Sequence, residues 1–323
     1  MRSKIYKRPA FSVRALHSTF QSAGELKNLL STLGFNVDIV QVTPGIMRGK
    51  IRASQHPEAL AIEIQSNQGL LVTGNANPNV INIAIERGPH LYLNRVQGHA
   101  LPENAISGFN SQKKEIYYSV SPGSRLCAGF LKKKNVIDLA NHLYGEFALD
   151  RLASNNICRI APRRFALLSN SIINRLSTTD SLNQVPAITT DFITSFVDAL
   201  CCHQGVDLDA EKPLPNKDLV RDFVKYSLEK GTKEPITIDQ HTKNLFTSKT
   251  VLSSAIKKST GLSPLTFLRN IRLEQVRTEL DKGDPKTSVI DIAHRHGFPS
   301  RGHFSRYYRE QFGELPRETL AKA

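Results

Sequence analysis

Residues 288 to 312 encode two short helices separated by a tight turn, and no other stretch limits the fold of this chain as strongly. Ser288 and Ser300 are each placed to cap a helix, because a serine side chain can accept a hydrogen bond from the first backbone N–H groups. Gly297 lies between the two helices and supplies the left-handed conformation that ends the first one. Three aromatic residues recur every four positions and predict the buried stripe of the second helix: Phe304, Tyr308 and Phe312. The pattern predicts a helix-turn-helix unit.

The opposite arc of the second helix is polar and basic. A helix about 10 Å across fits the major groove of DNA, which is about 12 Å wide. Guanidinium groups on such an arc can donate pairs of hydrogen bonds to guanine edges or to phosphates. The residues that this arc offers to DNA are Arg301, Gly302, Ser305, Arg306 and Arg309.

Residues 236–259 repeat this layout with different side chains. Ser248 is placed to cap the second helix of this earlier unit, 52 residues before Ser300. Leu252 and Ile256 predict its buried side. The outward residues of this helix are Lys249, Thr250, Ser253, Ser254 and Lys257. Most of them are short, so we expect weaker base reading here than in the second unit.

A long helix is predicted between the two units. Ser263 caps it, and Pro264 occupies the first helical position, where proline is favoured. Its buried side is continued by Leu273, Val276 and Leu280. We therefore predict an all-α C-terminal domain at residues 218–323, with helix-turn-helix motifs at about 236–259 and 288–312.

The first part of the chain has a different periodicity. Between about residues 35 and 130, short runs such as Val37–Val42 and Ala61–Ile64 alternate apolar and polar side chains, the period of a half-buried strand. Turn signals such as Ser121-Pro122-Gly123 separate these runs. Many short strands at this spacing predict an antiparallel sandwich or small barrel, with the shape of a cup that can hold a ligand.

Helical periodicity replaces the strand pattern at about residues 135–202, and two roles fit these helices equally well. They can form a dimer interface, or they can cover the open side of the sheet. Residues 203–217 contain Gly, two Pro and mixed charges without a sustained period, which is typical of a linker. The predicted fold class is thus α+β, with an N-terminal domain at residues 1–205.

The charge of the chain favours a polyanionic partner. It contains 43 Lys and Arg against 29 Asp and Glu, a formal net charge of +14. Nucleic acid is the first candidate and an anionic membrane surface the second. No stretch approaches the roughly eighteen apolar residues that a membrane span needs. The first 24 residues are basic, with no acidic residue, and we expect a flexible arm there.

The motifs of catalytic sites are missing from the sequence. It contains no G-x-S-x-G, Walker or dinucleotide-binding motif. His90, His99 and Glu103 do not have the spacing of metal-binding cupins. The four cysteines lack metal-type spacing and are expected to be reduced and mostly buried, as in a cytosolic protein. We expect no enzyme activity, no metal, no cofactor and a cytoplasmic location.

The residues of the two units resemble the AraC/XylS type of transcriptional regulator. The resemblance covers about a third of the chain, from Asp218 to Arg317. Its most specific stretch runs from Ile292 to Pro316 and reads I-A-x-x-x-G-F-x-S-x-x-x-F-S-R-x-Y-x-x-x-F-G-x-x-P. It implies that both second helices enter successive major grooves on one face of double-stranded DNA, and it adds His303 to the reading residues. Two departures are Thr242, where the family usually has Ala, and Gly302, which offers no side chain.

The N-terminal half is also similar, more faintly, to the cupin-like sensor domains of these regulators. The similarity rests on the run from Phe35 to Ile51, followed by Asn67-Gln68-Gly69. It implies a small-molecule effector and a homodimer formed through the N-terminal half. If the protein is an activator, the resemblance also implies contact with RNA polymerase.

Two classes of function remain open at this point. A sequence-specific DNA-binding regulator accounts for the motifs, the charge and the linker. A ligand-binding sensor or scaffold, whose degenerate helix-turn-helix binds DNA weakly or not at all, accounts for the short side chains of the first unit. Salt-dependent binding to promoter DNA would separate the two.

Overall fold

The computed structural model describes residues 15–56, 59–177, 185–201, 214, 216–231, 235–283 and 288–322. Most of the predicted linker at 203–217 and most of the basic N-terminal arm lie outside these residues. The part before residue 202 contains twelve strands and several helices among its described residues, and the described part after residue 216 is helical. This agrees with the predicted α+β class.

Two antiparallel sheets make up the N-terminal domain. A seven-stranded sheet has the order β1-β3-β4-β11-β6-β9-β12, and a five-stranded sheet has the order β2-β5-β10-β7-β8. The strands are β1 (Ala15–Phe20), β2 (Val37–Gln41), β3 (Gly49–His56), β4 (Ala59–Ser66), β5 (Leu70–Asn75), β6 (Val80–Arg87), β7 (Arg95–Val96), β8 (His99–Ala100), β9 (Ala105–Ser107), β10 (Glu115–Val120), β11 (Arg125–Lys132) and β12 (Ile157–Arg159). The predicted β-sandwich is confirmed.

The strands extend beyond the predicted limits of 35 and 130. β1 begins at Ala15, and its alternating exposed and half-buried residues mark it as a sheet edge, where the apolar alternation is weak. Helix α1 (Ala23–Thr32) follows β1 and was not predicted; Ser22 caps it by accepting from the N–H of Glu25 at 3.0 Å. β12 lies among the predicted helices and pairs with β9. β12 has only three residues, which is too few for a period to be read from the sequence.

Four helices follow the strands of the N-terminal domain. They are α2 (Lys133–Tyr144), α3 (Glu146–Ser154), α4 (Pro162–Ser177) and α5 (Val185–Cys201). Phe165, Leu168 and Ile172 of α4 are buried in one cluster with Ala61 and Ile83 of the seven-stranded sheet. The helices thus cover the outer face of that sheet, one of the two roles left open by the sequence. Cys127 and Cys158 are buried free thiols and Cys201 is a half-buried one, while Cys202 lies outside the described residues.

The C-terminal part contains seven helices among its described residues. They are α6 (Lys217–Lys230), α7 (Ile238–Asn244), α8 (Lys249–Thr260), α9 (Pro264–Leu280), α10 (Val289–Arg295), α11 (Arg301–Phe312) and α12 (Pro316–Lys322). α7 with α8, and α10 with α11, are the two predicted units, and α9 is the predicted long helix between them. None of the described helices has the length and apolar character required to span a membrane.

The C-terminal helices pack directly against the outer face of the five-stranded sheet. Val40, Leu71 and Tyr117 of this sheet are buried in one cluster with Phe223 of α6 and Leu252 of α8. Because strand side chains alternate between faces, the other residues of the same strands point between the two sheets. The two outer surfaces of the sandwich therefore carry α4 on one side and the C-terminal helices on the other.

Candidate nucleic-acid interface

The caps predicted from the sequence are present at both second helices. The Ser248 side chain accepts a hydrogen bond from the N–H of Val251 at 3.2 Å, and the Ser300 side chain accepts one from the N–H of His303 at 3.5 Å. Gly297 ends α10 with φ of 80°, the left-handed conformation expected there. Helices α8 and α11, which we call the reading helices, therefore begin at the predicted residues.

The buried stripe of each reading helix is also confirmed. Phe304, Tyr308 and Phe312 are at most 1% exposed, and so are Leu252 and Ile256 of α8. The Tyr308 hydroxyl is 2.8 Å from Thr319 Oγ1, and burial raises the pKa of this tyrosine. These aromatic side chains are fixed in the core, so they are not available to stack on bases.

The residues predicted to contact DNA lie on the side of each reading helix away from its buried stripe. Nine of them are exposed, namely Lys249, Thr250, Ser254, Lys257, Arg301, Gly302, His303, Arg306 and Arg309. Ser253 and Ser305 are half-buried. The structure thus groups the predicted residues on the accessible arcs of α8 and α11.

Both accessible arcs are positively charged. α8 contains no acidic residue, and α11 contains only Glu310, which lies 3.8 Å from Arg306. Lys249 of α8 contacts Asp239 at 2.5 Å, but both side chains are about 70% exposed, so this pair contributes little in water. Cations outnumber acidic residues on both arcs, and such an excess of positive charge is suited to a polyanion.

Some residues of this surface were not predicted. Lys258 follows Lys257 on α8 and is also exposed. Arg269 of α9 stacks its guanidinium 4.1 Å from the ring of Tyr307, which places a further cation beside α11. The lysine pair in the sequence was a usable signal for Lys258, whereas the position of Arg269 depends on how α9 crosses α11.

Side chains of helix α9 contact both helix-turn-helix units. Arg272 donates from Nη2 to the carbonyl oxygen of Ile236, which precedes α7, at 2.6 Å. Arg277, nearly buried, pairs with Glu314 beyond α11 at 2.9 Å. A Cβ atom on Gly297 would lie 2.6 Å from Cβ of Pro235, so the turn of the second unit closely approaches the start of the first. These contacts fix the spacing between the reading helices.

A buried histidine that the sequence did not point to helps to hold the first unit. His241 of α7 is fully buried, with Nε2 2.8 Å from Ser227 Oγ and Nδ1 2.9 Å from the carbonyl oxygen of Thr237. Its ring lies 4.2 Å from that of Phe223. Burial lowers the pKa of His241, which favours the neutral ring.

The N-terminal domain contacts the C-terminal ends of both reading helices. The side-chain amide of Gln311 in α11 donates to the carbonyl oxygen of Gln41 at 3.0 Å, and the amide of Gln41 donates back to the carbonyl oxygen of Gln311 at 3.2 Å. Ser119 Oγ donates to the carbonyl oxygen of Ser259 in α8 at 3.5 Å. The five-stranded sheet therefore contacts both reading helices directly.

Several apolar side chains between the two sheets are not fully buried. Ile64, Val72, Ile116 and Phe130 pack together there yet remain half-buried. One end of this space is polar, since the amide of Asn82 donates to the hydroxyl oxygen of Tyr118 at 3.3 Å. This is the interior of the predicted cup.

A buried carboxylate lies at the polar end of the cup. Glu86 accepts from the amide of Asn94 at 2.6 Å, and burial raises its pKa to about 7. Its other oxygen has no hydrogen-bond partner among the described residues. Within those residues, no group of three metal-ligating side chains comes together.

Comparisons with known proteins find a match at the C-terminal helices. Residues 242–322 match the family model described as a helix-turn-helix domain. The chain is 35% identical over 97 residues to the XylDLEGF operon transcriptional activator 2 of Pseudomonas putida, covering 29% of this chain and 60% of that protein. It is 28% identical over 165 residues to a probable thc operon regulatory protein of Rhodococcus erythropolis, covering 50% of this chain and 49% of that protein.

The chain thus spans about half the length of these two curated relatives. Among solved structures, the AraC-like transcriptional activator CuxR matches with 14% identity and a TM-score of 0.41, over 80% of this chain and 94% of that one. The family model runs from the end of α7 to α12 and so includes both reading helices. The C-terminal region of this chain therefore contains a helix-turn-helix domain, and the chain is similar in sequence to regulators of operon transcription.

Proposed function

We propose that the protein is a sequence-specific DNA-binding transcriptional regulator whose reading helices α8 and α11 enter successive major grooves of promoter DNA. The observation that carries this proposal is the pair of capped helices with exposed, basic arcs, held at a fixed spacing by α9. The predicted contact residues are those grouped on the arcs above. Cations on these arcs would bind phosphates and release counterions, and the arginines of α11 can also bond guanine edges.

The regulatory input is proposed to be a small organic effector held in the cup. The half-buried apolar side chains and the polar end at Asn82, Glu86 and Tyr118 support such a ligand, because binding sites are mostly apolar with a few placed polar groups. The contacts from Gln41 and Ser119 to the reading helices offer a route by which a filled cup would change DNA affinity. A second copy of this chain and RNA polymerase are further proposed partners.

Two experiments test the proposal. The first measures binding of the full chain to duplex DNA at several salt concentrations, where the reading helices predict an affinity that falls steeply as salt rises. The second screens a metabolite panel by thermal shift, since a ligand that binds only the folded chain stabilises it.

The outcomes separate the two halves of the proposal. Binding to DNA without any thermal shift would leave a regulator without an effector in the cup. A thermal shift without salt-sensitive DNA binding would identify a ligand-binding sensor whose helix-turn-helix is degenerate. If neither salt-sensitive DNA binding nor a thermal shift is observed, the whole proposal is contradicted.

A further inference from the structure

A groove with an excess of positive charge lies on the outer face of the seven-stranded sheet. Its volume is about 750 Å³, and it is lined by residues of β1, β3 and β4 together with Arg125 at the start of β11. This face is the one that α4 partly covers. It is opposite the sheet on which the C-terminal helices pack, so the groove is distant from the reading helices and separate from the cup.

The strand register places the charged residues in two adjacent rows. One row runs across the strands from His17 through Arg52 to Glu63. The next row runs from Lys50 through Gln65 to Arg125. Neighbouring strands are about 4.8 Å apart and rows on one face about 7 Å, so the long side chains of three cations reach one common volume.

Glu63 organises the arginines of the groove. It is 7% exposed and forms ion pairs with both Arg52 and Arg125 through its two carboxylate oxygens. The two guanidinium groups are thereby held in place, while their side chains remain 33% and 39% exposed. Each guanidinium has N–H groups beyond those used on Glu63, and they are available to a ligand.

Lys50 adds a cation without an ion-pair partner among the described residues. It is exposed on β3, and it lines the groove beside Arg52 and Arg125. Three cations and one carboxylate leave the lining with a formal charge of plus two, apart from His17. Ile51 lines the groove only through its backbone, because its side chain is buried between the two sheets, so the groove does not suit an apolar molecule.

We propose that this groove binds a small hydrophilic dianion, of the phosphate monoester or dicarboxylate class, between Lys50, Arg52 and Arg125. The two negative charges of such a ligand balance the formal charge of plus two on the lining. Its oxygens can accept paired hydrogen bonds from guanidinium groups. The volume lies within the range of small-molecule sites, about 300–1,000 Å³. The ligand is distinct from the effector proposed for the cup, and its binding does not depend on DNA binding.

The test is calorimetric titration of the full chain at constant ionic strength with three probes: inorganic phosphate, glycerol 3-phosphate and succinate. Saturable binding of at least one probe is expected, and the preferred probe identifies the ligand as a phosphate or a dicarboxylate. Lys50→Gln should weaken binding about tenfold, since one exposed charge close to a dianion is lost. Lys134→Gln removes an exposed lysine of α2 and should leave binding unchanged.

Glu63→Gln gives an effect of opposite sign. It removes the negative charge from the lining, so the dianion should bind more tightly, provided that circular dichroism shows a folded chain. If this variant does not fold, the comparison of Lys50→Gln with Lys134→Gln decides. The proposal is overturned if no probe binds saturably at millimolar concentrations, or if both lysine variants bind like the original chain. Competition by duplex DNA alone, without binding of any small probe, would also overturn it.

Discussion

The carboxyl group of Glu274 makes the stability of the protein depend on pH. This side chain of α9 is 6% exposed at the contact with the N-terminal domain, and it accepts from the N–H of Gln41 at 3.2 Å. Burial raises its pKa from 4.5 to about 7, against the opposing effect of the Arg277 charge. The folded protein therefore holds this proton more tightly than the unfolded chain does.

The sign and size of the effect follow from this difference. Between pH 4.5 and pH 7, the unfolded chain loses the proton of Glu274 and the folded protein retains it, so raising the pH favours unfolding. One pKa unit corresponds to about 1.4 kcal/mol, and the stabilisation lost across this window is therefore on the order of 3 kcal/mol. Above pH 7 no further loss is expected from this group.

Replacing Glu274 by Gln removes the titration while keeping the shape of the protonated side chain. In urea denaturation, Glu274→Gln should match the original chain near pH 4.5 and become more stable by about 3 kcal/mol near pH 7. Glu86→Gln should behave similarly, because burial also raises the pKa of Glu86 to about 7. Glu103→Gln, at an exposed position, serves as the control. Parallel pH curves for Glu274→Gln and the original chain would refute the reasoning.

Further predictions concern the reading helices. Arg301→Ala or Arg306→Ala should weaken DNA binding by about 1–3 kcal/mol if the arginine reads a guanine. Ser253→Ala or Ser254→Ala should weaken it by about 1 kcal/mol at most. Binding isotherms at several salt concentrations that show the reverse order would contradict this prediction. Gly297→Ala should destabilise the chain by at least about 1–2 kcal/mol, the cost of a left-handed alanine, because φ is 80° and a Cβ would meet Pro235. Gly302→Ala, where nothing lies within 4 Å of the added Cβ, should not destabilise it. Equal urea midpoints for the two variants would contradict this prediction. A fragment of residues 217–323 should fold by circular dichroism and bind DNA with salt sensitivity, and an unfolded product would show that the domain boundary is wrong.

The sequence predicted the five helices from α7 to α11 well, since their ends are marked by local signals, whereas α6 and α12 were not predicted. Ser248, Ser263 and Ser300 each bond the backbone N–H three residues later, so a cap can be read without knowing the rest of the fold. The aromatic stripe of α11 is equally local, because its members lie on consecutive turns. The exposed residues of each reading helix could also be predicted, because they are the ones that lie outside its buried stripe.

Features made by distant parts of the chain were not predicted. Val40 and Leu71 were recognisable as strand residues, but their period does not say that C-terminal helices cover that face. Lys50 and Arg125 become neighbours of the same groove only through the strand order β3-β4-β11. His241 is one histidine in a short helix, and its burial depends on α6, which supplies Ser227 and Phe223.

The central claim is that both reading helices enter successive major grooves, and selection of bound duplexes from a random library tests it most directly. The account predicts an enriched site with two elements centred about 10 base pairs apart, one helical turn of DNA. Arg306→Ala should relax positions within one element and leave the other unchanged. A site with a single element, two elements at another spacing, or no enrichment would contradict the claim.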